Sequence, residues 1–191
     1  MKNKTLFLLS LILCTSLSFA QPSAILDQEH ISEFEQKALE KARDFGQYIK
    51  VIGDKNSNIS DASDAIDLAI ALFYDENKIV QVSSLNNTEI VNFAIERYLK
   101  RLQLLKYDKV DIEWYDVHKI SDIRLGDDGK YYGVITVYQR FTGHLVDGIA
   151  YSDVTEKNIE IILEKITKTI GGTTQDVWDV FLGDIKVMET S

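Results

Sequence analysis

The stretch Gly53–Asp64, "GDKNSNISDASD", carries side-chain oxygens at Asp54, Asn56, Asn58, Ser60, Asp61 and Asp64. These are the hard donors that a calcium ion takes. A calcium loop of the EF-hand kind needs oxygens at regular positions, a glycine at the sixth and a bidentate carboxylate at the twelfth. Counted from Asp54, Asn56 and Asn58 fall correctly, but the sixth residue is Ile59 and the twelfth is Ala65. Asp64 arrives one residue early. A turn followed by a helix start explains the same residues. Asp54, Asn56 and Asn58 favour the turn, and Ser60, Asp61 and Asp64 suit the free amides and positive dipole at a helix N-terminus. Asp54, Asn56 and Asn58 are therefore weak metal candidates, and neither a metal nor a cofactor is expected.

The histidines are His30, His118 and His144. None is spaced from another His or a Glu as helix-borne metal ligands are, and neither HExxH nor GxSxG occurs. Gly171–Gly172 reads as a turn, not a phosphate cradle. In "KVDIEWYDVHKI" a period of two sets Trp114, Asp116 and His118 on one strand face. Such a row either lines a cavity or lies on a solvated outer face. If the chain is an enzyme, Asp116, His118, Tyr138 and Tyr151 are the acid–base groups to inspect, with Asp179 beside them. Trp114, Tyr138, Tyr151 and Trp178 are the candidates for a ligand pocket, and core packing is the competing role for these rings. Asp127 and Asp128 in "GDDG" read as solvated hairpin residues.

These residues need elements to hold them. Phe34, Ala38, Leu39, Ala42, Phe45 and Ile49 recur at helical spacing, with Ser32 and Glu35 as a capping box and Gly53 as the stop. A second helix is expected over Asp61–Phe73, capped by Ser60 or Asp61. Residues 78–85 alternate like a short strand. Thr88 is then expected to cap a third helix, Glu89 to about Lys106. After Tyr107 the period becomes two. Strands follow over "KVDIEWYDVHKI" and "KYYGVITVYQRFTG". The segment 148–170 is read as two strands with a turn near Asp153–Lys157, and "DVWDVFLGDIKVME" closes the chain. That is an α+β layout, with helices on one side of an antiparallel sheet.

The N-terminus reads as a secretory signal peptide. Lys2 and Lys4 precede the apolar run Leu6–Leu13, and Ser18 and Ala20 supply a small-residue cleavage site before Gln21. The apolar run is short of the about 20 residues that cross a bilayer. Lipidation at Cys14 is the less favoured alternative, because Leu13 is large where a small residue belongs. The expected organisation is a signal peptide over 1–20, a flexible leader over 21–29 and one domain over 30–191, exported to the periplasm or beyond. Removing residues 1–20 takes two lysines and no acid, so the net charge moves from −9 to −11. Such a charge disfavours nucleic acid and anionic membrane surfaces. Cys14 is the sole cysteine, so the exported chain has no disulfide and must be held by its core. Hydrophobic residues make up 45%, enough for a core and too many for disorder.

The order of elements resembles the nuclear transport factor 2-like, or SnoaL-like, superfamily, in particular secreted bacterial members without an assigned activity. The segments that carry it are "IERYLKRLQLLKYDKVDIEW", "YYGVITVYQRFTG" and "WDVFLGDIKV", within about residues 30–188. The resemblance implies three N-terminal helices packed on a strongly curved antiparallel sheet, forming a cone with an open mouth. It also implies a possible homodimer, because sheets of this fold often pair. The fold hosts isomerases, dehydratases and plain binding modules, so it does not fix the activity. The reading is an exported, non-catalytic domain that binds a small apolar ligand or a cell-envelope protein. The alternative is a lyase or isomerase with acid–base residues inside the cone.

Overall fold

The computed structural model describes residues 26–191; the side chains of Thr88 and of residues 118–120 lie outside the described set. The expected signal peptide over 1–20, with Cys14, also lies outside the described residues.

Helix α1 spans Gln28–Gly53 and buries Phe34, Ala38, Ala42, Phe45, Ile49 and Ile52 along one face. It starts ahead of the expected capping box. Asp27 is the cap, accepting from the His30 amide at 3.0 Å, and Leu26 packs against the core. So α1 begins inside the segment read as leader. Helix α2 spans Ile59–Ile70 and is capped by Asn58, which accepts from the Asp61 amide at 2.8 Å. Its end is stitched to the sheet through Tyr74 N–H to Leu182 O and Leu182 N–H to Leu72 O.

Strands β1 (Ile79–Ser84) and β2 (Asn87–Ala94) form a hairpin around Leu85–Asn86. Here the sequence reading is corrected. Helix α3 covers only Ile95–Gln103, and the residues expected to begin it form β2. Val91 pairs with Val82 and Phe93 with Val80, so β-branched and aromatic side chains find cross-strand partners. Thr88 therefore sits in a strand instead of at a cap. The first helical amide, Ile95 N–H, is satisfied by Lys78 O at 2.9 Å.

The remaining strands are β3 (Lys109–Ile120), β4 (Arg124–Leu125), β5 (Tyr131–Leu145), β6 (Gly148–Ile170) and β7 (Thr173–Thr190). The turn expected near Asp153–Lys157 is absent: β6 runs unbroken for 23 residues, paired throughout with β5 and β7. No Gly or Pro interrupts residues 149–170, so nothing in the backbone requires a turn there. The sheet is seven-stranded and mixed, not wholly antiparallel. Its order is β2-β1-β7-β6-β5-β3, with β4 on β5, and β1 meets β7 in parallel at Val80–Ile185. It stays open, with β2 and β3 at its edges. The fold is α+β with three helices.

The core lies between α1 and the buried sheet face. Phe45 is fully buried and meets Phe73 and Trp114 edge-on at centroid distances of 5.0 and 5.3 Å. Ile135, Val137, Ile159, Ile161, Leu163, Leu182 and Ile185 form the sheet side of this core. Each such side chain contributes about 1.5–3 kcal/mol on burial. Among the described residues, no helix is long and apolar enough to cross a membrane.

Candidate functional site

Polar side chains interrupt this apolar face along one line. On β6 the buried residues alternate as Asp153, Thr155, Lys157, Ile159 and Ile161. The first three are polar although they point to the same side as the isoleucines. Gln139 on β5 stands opposite Thr155 and is 8% exposed. These groups line a cavity of about 310 Å³ between the β1–β2 hairpin, α3 and β5–β6. Val82, Val91, Phe93, Leu102, Leu105 and Phe141 supply apolar wall. Arg101 and Glu89, both exposed, lie on its border.

Lys157 is 2% exposed. Its Nζ donates to Gln81 O over a long 3.4 Å and stands 5.8 Å from the centre of the Tyr98 ring. Among the described residues no carboxylate oxygen lies within 4.0 Å of it. Burial pulls its pKa down to about 8, with the Asp153 charge opposing that shift. Asp153 shows the converse: burial raises its carboxyl, while the Tyr151 hydrogen bond and the Lys157 charge partly offset the rise. The Tyr151 hydroxyl donates to Asp153 Oδ2 at 2.5 Å and accepts from the Leu85 amide at 2.8 Å. Burial and the Asp153 contact both push the Tyr151 hydroxyl up. Tyr98, from α3, is buried, and burial alone raises its pKa.

Of the residues singled out in the sequence, Tyr151 lines this cavity. Trp114 stands behind it, donating from Nε1 to Gln139 Oε1 at 3.1 Å, and lines a second cleft between α1 and β3. Tyr138 faces the other side of the sheet, with its hydroxyl on Glu156 at 3.3 Å and its ring stacked on Tyr115. Trp178 packs edge-on against Tyr131 and under Lys165, away from the cavity. Asp179 holds Lys168 at 2.7 Å. Asp116 is exposed at a bulge with φ 53°, so the period of two fails there and Val117 packs inward three residues after Trp114. The side chain of His118 lies outside the described residues. His30 is exposed on Asp27, and His144 Nε2 meets Asp111 at 3.0 Å.

The acidic loop spends its oxygens locally. Asp54 Oδ1 accepts from the Asn56 amide at 2.9 Å, and Asn58 caps α2. Among the described residues, no group of three or more His, Cys, Asp or Glu side chains is placed to hold a metal.

Sequence reasoning missed Asp153, Thr155 and Lys157 because "SDVTEKN" looks like a turn. The available signal was the alternation itself: Tyr151, Asp153, Thr155 and Lys157 fall two apart on a run free of Gly and Pro. Chemically the site offers a hydrogen-bonded Tyr–Asp pair and an amine that is partly neutral near pH 8, set among apolar walls. No protein-family model matches this chain, and no curated protein matches it.

Proposed function

We propose that the chain is an exported binding domain of the nuclear transport factor 2-like kind whose cavity takes a small, largely apolar organic molecule. The observation that carries this reading is the placement of buried Lys157 and Asp153, with half-buried Tyr151, in the wall of a cavity of about 310 Å³ that they share with Phe93, Leu102 and Phe141. That volume is at the lower end of the range for small-molecule pockets, and apolar walls with polar groups set among them suit a ligand with an apolar body and a polar end. The ligand's apolar body would rest on Phe93, Leu102 and Phe141, and one oxygen-bearing end would meet Lys157. The three-helix, curved-sheet resemblance and the N-terminal "MKNKTLFLLSLILCTSLSFA" support the family and the export.

The test is titration with the fluorescent probe N-phenyl-1-naphthylamine. Saturable fluorescence at one equivalent is expected, and Val91→Trp, at a half-exposed lining position, should abolish it. Absence of saturation, or unchanged binding by Val91→Trp, would remove the reading.

A second reading, a lyase or isomerase, is favoured by the Tyr151–Asp153 hydrogen bond inside the cavity. A carboxyl whose pKa burial raises is better suited than a free one to hand a proton to a bound substrate.

A further inference from the structure

We propose that Lys157 captures a carbonyl compound, a small aldehyde or ketone with an apolar body, by forming an imine through Nζ. The inference deepens the binding reading and rests on it.

The geometry carries the argument. Lys157 is held in the cavity wall with its stem between Thr155 and Ile159 on the buried face of β6. An ammonium presents three donors. Here Nζ has one long contact, to Gln81 O at 3.4 Å, and among the described residues no carboxylate within 4.0 Å. A buried cation so poorly paired is costly, and the neutral amine relieves the cost. Burial lowers its pKa to about 8 accordingly. The neutral amine exposes a lone pair to the cavity, which is what a nucleophilic lysine requires. Exposed lysines of this chain, such as Lys100 and Lys109, lie on carboxylates instead.

The step balances without an oxidant or reductant. The Nζ lone pair attacks the carbonyl carbon, the C–N bond forms and the carbonyl π pair becomes a hydroxyl after proton transfer from nitrogen to oxygen. The carbinolamine then loses that hydroxyl as water while the C=N bond forms. Departure of water needs a proton donor. Asp153, whose carboxyl burial holds above its ordinary range, lines the same cavity and receives the Tyr151 hydroxyl. Asp153 supplies that proton and is left as a carboxylate. The nitrogen keeps its last proton as an iminium N–H until it is returned to the carboxylate to give the imine. Tyr151 orients Asp153.

The experiment treats the folded protein with benzaldehyde and sodium cyanoborohydride at neutral pH and locates the reduced adduct by peptide mass mapping. Lys157 is expected to label on the order of tenfold faster than any exposed lysine, in keeping with its larger neutral fraction. Asp153→Asn should slow labelling at Lys157. Lys157→Met keeps the volume of the side chain and should remove the fast site alone. If benzaldehyde displaces the dye but the label spreads over exposed lysines and spares Lys157, imine capture is wrong and the binding reading stands. If neither displacement nor fast labelling occurs, both are wrong.

Discussion

The hydroxyl of Tyr151 bridges two elements: it donates to Asp153 on its own strand and accepts from the amide of Leu85 at the tip of the β1–β2 hairpin. One side chain therefore orients the buried carboxylate and fastens the hairpin that covers the cavity.

Tyr151→Phe should separate these roles from packing. It leaves the Asp153 carboxyl without its donor and frees the hairpin tip. A loss of about 1–2 kcal/mol is expected in urea unfolding, because a buried acceptor is left unpaired. Hydrogen exchange at amides 83–91 should quicken. Unchanged exchange there would show that the hairpin is held by its own β1–β2 ladder.

Lys157→Met should stabilise the protein at neutral pH by about 1–3 kcal/mol, since an ill-paired buried cation gives way to an apolar chain of similar volume. The pH dependence has a defined sign. The folded pKa is about 8 against 10.5 for a free lysine. Between those values the unfolded chain binds more protons, so stability rises with pH across that window. The wild type should show this rise and Lys157→Met should not. Parallel profiles for the two proteins would mean that Nζ is well solvated.

Gly143→Ala should disturb the cavity from outside. A Cβ at Gly143 would fall 2.6 Å from the Tyr107 ring, which lies flat against that glycine and lines the cavity. The ring must move, at a cost of about 1–3 kcal/mol. Equal midpoints of denaturation for variant and wild type would mean that Tyr107 swings away freely.

Calcium chloride should leave the melting temperature unchanged. Asp54 and Asn58 already serve their own backbone, and a ligand bound only by the folded state must raise the midpoint. A rise of several degrees would restore the Asp54–Asn58 loop as a metal site.

Helices α1 and α2 were legible because their apolar residues keep the 3.6 period over many turns. Their caps were misplaced: Asp27 and Asn58 won over Ser32 and Ser60, each being an equally good oxygen a few residues upstream. The start of α3 was not legible, because Ile90, Val91 and Phe93 satisfy a helical stripe and a strand alike. The pairing with β1 decides between them, and that is long-range information. Lys157 was hidden for a related reason. A polar residue on a buried strand face looks like a loop residue until its neighbours in space are known. Tyr151, which lines the cavity, was singled out because an aromatic is expected to be at least partly buried whatever its role.

The open sheet leaves β3 as an outer strand, and an outer strand is a template on which another chain can add itself. Here the template is defaced. Lys109, Asp111 and Glu113 put alternating charge along its exposed side, and the left-handed kink at Asp116 breaks the ladder before a second strand could lengthen along it. In a chain that carries 45% hydrophobic residues, that kink is protection against fibrous self-assembly, and straightening it would trade a closed edge for an adhesive one.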